Sequence, residues 1–185
     1  HYPLEFWTGS LIHESGSQDK IGAFINAITI EERLKPNDEK ITILPPCVNK
    51  SKLNFSIEGK DIRFGLTAIM NVNETGRDII NARGDAPFKD MEDFCSRVGK
   101  KALNKRTMEA LLYTNAFACF GSIPEIYEIL KANGVRMGDL KESELEIREW
   151  ELRCLGYNIS FPDEFIMAAQ LDPMLKCHSE VTHEF

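Results

Sequence analysis

The sequence predicts a mainly α-helical chain with one small β-hairpin. Three observations carry this. Apolar residues recur at helical spacing over most of the length, strict alternation is confined to residues 53–64, and caps and breakers punctuate the rest. The 185 residues suffice for one ordinary domain or two small ones. With 43% apolar and 28% charged residues the mixture is globular, which excludes disordered, collagen-like and low-complexity classes.

Pro3 suits a first helical position, and Leu4, Trp7 and Leu11 follow at helical spacing. Gly16-Ser17 breaks the chain and Ser17 can cap a second helix, in which Ile21, Phe24, Ile25 and Ile28 form one apolar stripe. The polar run Glu31 to Lys40, with Pro36-Asn37-Asp38, reads as a surface loop. Ile41-Thr42-Ile43-Leu44 is a short β-type run stopped by Pro45-Pro46. Leu53, Phe55 and Ile57, then Ile62 and Phe64, alternate around the turn Glu58-Gly59-Lys60-Asp61, giving a hairpin over 53–64 that must lean on helices.

From Phe64 to Gly121 the pattern predicts short helices near 65–70, 74–83, 90–98 and 104–116, then another near 123–132 ended by Asn133-Gly134. Ser143-Glu144-Leu145-Glu146 is a capping box. It opens a helix with Ile147, Trp150 and Cys154 on one side, and with Glu144/Arg148 and Glu149/Arg153 as i,i+4 pairs, before Gly156 ends it. The resulting organisation is a helical 1–40, a β element 41–64, two helix–turn–helix units over 65–121, and an acidic helical extension 122–185.

No window approaches the ~18 apolar residues of a membrane span, so a soluble chain with no membrane role is expected. The start, His1 to Trp7, lacks a basic stretch, apolar run and cleavage site, and begins with His, as a piece of something longer would. The five cysteines (Cys47, Cys95, Cys119, Cys154 and Cys177) are odd in number and widely spaced, as expected of reduced thiols in a cytoplasmic setting. The net charge of −7 is unevenly spread: −3 over residues 1–49, +4 over 50–106 and −8 over 107–185. A basic middle between acidic flanks points to an anionic partner, against the plainer reading of scattered solvated lysines.

Two stretches carry that chemistry. In Asn71-Val72-Asn73-Glu74-Thr75-Gly76-Arg77, asparagine tolerates a left-handed backbone and also caps helices, so the stretch describes a tight bend whose amides open at a helix start. Such amides, backed by the helix dipole, suit a phosphate, and Arg77 and Arg83 lie on the helix that follows. The second stretch is Gly99-Lys100-Lys101-Ala102-Leu103-Asn104-Lys105-Arg106-Thr107. Asn104 caps the next helix, and the cations Lys100, Lys101, Lys105 and Arg106 crowd its start, opposing the dipole. A helix start that breaks its own electrostatic rule is a functional suspect, and a polyanion would relieve the repulsion.

The ordered segments Tyr2-Pro3-Leu4-Glu5-Phe6, Ile43 to Asn49, Phe55 to Gly59, Ile62 to Ile69, Asp93 to Val98, Leu103 to Leu111, and Leu155-Gly156-Tyr157-Asn158-Ile159-Ser160-Phe161-Pro162 resemble one family, the alpha subunit of bacterial DNA polymerase III. The resemblance runs from the end of the fingers through the tandem helix-hairpin-helix region. It implies a part of a replicative polymerase, in a bacterial or phage-infected cell, that grips primer–template duplex DNA by its backbone without reading bases. The residues carried over are Asn71, Val72, Asn73, Glu74 and Thr75 as the first hairpin and Lys100, Lys101, Asn104, Lys105 and Arg106 as the second, with Arg77 added as an expected DNA contact by its place on the helix after the first bend. The chain departs from the family where asparagine replaces glycine at 71, 73 and 115 and where Ser160-Phe161 replaces a Gly-His pair.

The family also docks a sliding clamp through a short glutamine-led motif. The only counterpart here is Gln170-Leu171-Asp172-Pro173-Met174-Leu175, displaced and without its aromatic anchor. Gln170, Leu171, Met174 and Leu175 are the expected contacts if a clamp is a partner, and a protein-docking module is the alternative function. No Asp-x-Asp pair is set on a strand to hold the two metal ions of polymerase chemistry. The resemblance puts those carboxylates and their Mg²⁺ upstream in the palm, so no catalytic residue, metal or cofactor is expected in this stretch.

Overall fold

The computed structural model describes residues 3–159 apart from 34, 37 and 38. Its elements are α1 (Pro3–His13), α2 (Gln18–Glu32), β1 (Ile43–Leu44), β2 (Ser56–Glu58), β3 (Asp61–Arg63), one 3-10 turn (Leu66–Ala68), α3 (Asn73–Arg83), α4 (Met91–Val98), α5 (Lys105–Tyr113), α6 (Ile123–Ala132) and α7 (Glu144–Leu155). The architecture is mainly helical with one small sheet, as the periodicity predicts.

Pro3 is the first residue of α1, and Ser17 stands at the N-cap of α2, although its hydroxyl makes no capping bond. Ile21, Ile25 and Ile28 of the α2 stripe are buried, with Phe24 half-buried beside Trp7. α2 crosses the end of α7 at two glycines. A Cβ on Gly22 would collide with the carbonyl of Gly156, and one on Gly156 with that of Gln18. Gly156 also has φ +76, which glycine adopts without a steric penalty.

The sheet has the order β1-β3-β2. β2 and β3 form the expected hairpin, narrowed to 56–63, with Ile57 opposite Ile62. β1 joins on the other side of β3 in parallel, pairing Ile43 with Ile62. Buried Phe55 and Phe64, with ring centroids 4.6 Å apart, carry the hairpin into the helical core.

The helix expected over 65–70 is a single 3-10 turn. Gly65 before it and Ile69 after it are extended, and the backbone at Asn54 packs too close to Gly65 for any Cβ. α3 and α4 are held together by Arg97, which donates to the carbonyls of Ala82 (2.8 Å), Arg83 (2.8 Å) and Ala86 (2.9 Å) and lies over the Phe88 ring. Arg83 donates to the carbonyls of Val48 and Ser51, at 2.8 and 2.9 Å. Both arginines are thus partly buried structural braces, and Arg83 is not set beside the bend that precedes its helix.

Candidate nucleic-acid interface

The first bend is built by the 3-10 turn running into α3. Val72 N–H closes it on the carbonyl of Ile69 at 3.1 Å, and Asn71 takes the left-handed conformation, φ 68. Val72 is buried and anchors the bend from inside. It also occupies the N-cap position, so Asn73 is the first helical residue and not the cap. No side chain caps α3, which leaves its opening amides without a side-chain acceptor. Asn71, Asn73, Glu74 and Arg77 are exposed and Thr75 is half-buried. Gly76 is buried, where a Cβ would come within 3.3 Å of the Leu66 side chain, so glycine lets the turn and α3 close up.

The second bend repeats this plan with other residues. Gly99 has φ 84, Ala102 N–H returns to the carbonyl of Gly99 at 3.2 Å, and the Ala102 side chain is buried where Val72 was in the first. Asn104 is the N-cap of α5, its side-chain oxygen accepting from Thr107 N–H at 3.0 Å. The first turn of α5 holds no acidic residue. Lys100, Lys101, Asn104, Lys105 and Arg106 are all exposed. Lys105 approaches Glu109 at 3.8 Å with half its side chain still open, while Lys100, Lys101 and Arg106 meet no carboxylate among the described residues.

The two bends meet. The Thr107 hydroxyl donates to the carbonyl of Asn71 at 2.7 Å, joining the first turn of α5 to the left-handed residue of the other bend. Beside this junction lies an open cleft of about 570 Å³ lined by Met70, Asn71, Lys105, Arg106, Glu109, Trp150 and Arg153. The last two belong to α7, which sequence reasoning left outside the site. Their spacing gives no hint of it, because only the tertiary packing of α7 on α5 brings them there.

Gln170, Leu171, Met174 and Leu175, like Ser160-Phe161, lie outside the described residues. Among the described residues no group of three or more His, Cys, Asp or Glu is placed to hold a metal ion, and no helix is long and apolar enough to cross a membrane.

Paired units, each with an apolar residue buried in its bend and a helix beginning after it, are the arrangement of a helix-hairpin-helix motif, which this chain carries. The family model for the helix-hairpin-helix motif matches residues 40–124. The chain is also similar to longer proteins. The chain is 38% identical over 122 residues to DNA polymerase III subunit alpha of Bacillus subtilis, covering 65% of this chain and 10% of that protein. It is 32% identical over 133 residues to the subunit of Deinococcus radiodurans (71% and 9%), and 38% over 126 residues to that of Campylobacter jejuni (65% and 10%). The chain matches DNA polymerase III alpha subunits and spans about a tenth of their length.

Proposed function

We propose that this chain binds duplex DNA through the sugar-phosphate backbone, without sequence preference, as the primer–template-gripping part of a bacterial-type replicative polymerase. The observation that carries the reading is the junction of Thr107 with Asn71, which sets two helix starts side by side beneath exposed cations. Helix-start amides favour anions. The first turn of α5 holds no acidic residue, and only Lys105 of the four cations nears a carboxylate, that of Glu109, so a polyanion removes a repulsion the protein relieves only in part. Helix-start amides and clustered cations suit phosphates, and backbone contacts carry no sequence information. The similarity to DNA polymerase III alpha subunits supports the replicative setting.

The asparagines at 71 and 73 raise the competing reading of a docking module for a sliding clamp or another replisome protein, which the net −8 of residues 107–185 favours. Anisotropy of a fluorescein-labelled duplex of about 20 bp separates the two. Binding that is largely lost in Lys101→Glu/Lys105→Glu, with an unchanged circular dichroism spectrum, supports DNA contact. Absence of wild-type binding at low salt, together with clamp capture that Gln170→Ala abolishes, overturns it.

A further inference from the structure

We infer that α7 supplies a further phosphate contact to the duplex, in addition to those of the two bends, through Arg153 in the cleft beside their junction. This rests on the DNA-binding reading above but concerns a helix which that reading does not require.

Three features place Arg153 for the task. Its helix is fixed to the first bend: Met70 N–H donates to the carbonyl of Cys154 at 2.9 Å, and Gln18 Nε2 of α2 bridges the two segments, donating to the carbonyls of Ala68 at 2.8 Å and Cys154 at 3.4 Å. α7 is fixed to the second unit as well, where Trp150 packs on Tyr113 with ring centroids 5.4 Å apart. The Arg153 guanidinium then lies over the other partner of that pair, its Cζ 5.6 Å from the Trp150 ring centroid. A planar cation held over an aromatic face is partly pre-oriented, so less side-chain freedom is lost when it meets a phosphate.

The charges in the cleft favour an anion. Lys105, Arg106 and Arg153 line it against one carboxylate, that of Glu109. Glu109 is already engaged, since its Oε1 accepts from Gly138 N–H at 2.8 Å and sits 3.8 Å from Lys105 Nζ. Arg153 itself is exposed and forms no ion pair among the described residues. Helical spacing predicts that Glu149 neutralises it. The analogous pair one turn earlier, Arg148 with Glu144, does close at 2.6 Å. Arg153 turns to Trp150 instead, which keeps the guanidinium beside Asn71 and the α5 start. The ligand chemistry is that of a phosphodiester: one negative charge with two equivalent oxygens, which a guanidinium meets in bidentate fashion.

Trp7 and Trp150 are the only tryptophans, so Trp7→Phe makes Trp150 the sole reporter in the 185-residue chain. Titration of that variant with an unlabelled duplex should change Trp150 emission over the same concentrations that saturate a labelled duplex of either of two unrelated sequences. Arg153→Ala should weaken both duplexes about fivefold near 0.1 M salt and flatten the log K against log salt slope by about one. Arg153→Lys should restore the slope. Arg153→Ala with wild-type affinity and slope, while Lys101→Glu/Lys105→Glu still weakens binding, overturns the α7 contact and leaves the two-bend reading standing. A wild-type chain that binds no duplex overturns both.

Discussion

The hydroxyl of Thr107 donates a 2.7 Å hydrogen bond to the carbonyl of Asn71, across 36 residues of sequence. Thr107 is the third residue of α5 and is 2% exposed, and Asn71 is the left-handed residue of the first bend. One side chain therefore bridges the two bends, and under the proposed DNA-binding function the spacing of the phosphates they grip together depends on it. Thr107→Val keeps the shape and the backbone N–H that Asn104 caps but leaves the Asn71 carbonyl without its donor. Thermal or urea unfolding should show a loss of about 1–2 kcal/mol, and duplex affinity should fall several-fold more than this destabilisation alone would cause.

Asn71 holds φ 68, a conformation that costs any side-chain-bearing residue and costs β-branched ones most. Asn71→Gly should leave stability within about 1 kcal/mol of the parent and keep duplex binding, because glycine adopts the same backbone freely. Asn71→Val should destabilise by more than about 1 kcal/mol. Urea midpoints of the pair, read beside the wild type, check this; equal midpoints would mean that the left-handed bend does not matter.

The Glu109 carboxylate is the one acidic group in the cleft. Glu109→Gln keeps an oxygen to accept from Gly138 N–H and removes the negative charge beside Lys105. Duplex affinity should rise about two- to fivefold at low salt, with the gain shrinking as salt screens the site. Anisotropy at two salt concentrations checks it, and an affinity that falls would place Glu109 among the groups binding requires.

The cysteines should titrate unequally. Cys47 is pulled down to about 6, first by a hydrogen bond from the Cys119 thiol and further by the amides of Asn49 and Lys50 and the charge of Arg63. Burial pushes Cys95 and Cys154 up to about 11. Because the thiolate is the reactive form, Cys47 alkylation by iodoacetamide should rise through pH 6 and level off by about pH 7.5, while Cys95 and Cys154 stay slow across that window. Cys119→Ala removes the largest cause and should move the Cys47 profile toward its ordinary 9.0. Peptide mapping by mass spectrometry after timed alkylation reads each site, and a Cys47 profile unmoved by Cys119→Ala would contradict the assigned cause.

Local rules recovered most of the helices because each has a local signature. Ser143 accepts from the third residue of α7 and Asn104 from that of α5, as expected from the sequence, and Asp90 caps α4 in the same way. Asn71 and Asn115 both take positive φ, at 68 and 62. The sequence pattern did not disclose relationships made by distant segments. The parallel pairing of β1 with β3 joins residues 19 apart, across Pro45-Pro46 and the intervening strand β2. The capping box of Ser122 with Glu125 obeys the same local rule as Ser143 with Glu146, but only the latter is singled out from the sequence. Arg83 and Arg97 look like free cations until the carbonyls that claim them are seen. Trp150 and Arg153 look like one side of an acidic helix, and only the seating of α7 against α5 and the first bend turns them toward the cationic cleft.

The salt dependence of duplex binding tests the central claim most directly. With about four to five phosphates neutralised in all, log K should fall linearly with log salt at a slope near −4, and equally for duplexes of unrelated sequence. A flat response, or a slope that differs with base sequence at constant length, would contradict a grip made on the backbone by these two joined helix starts.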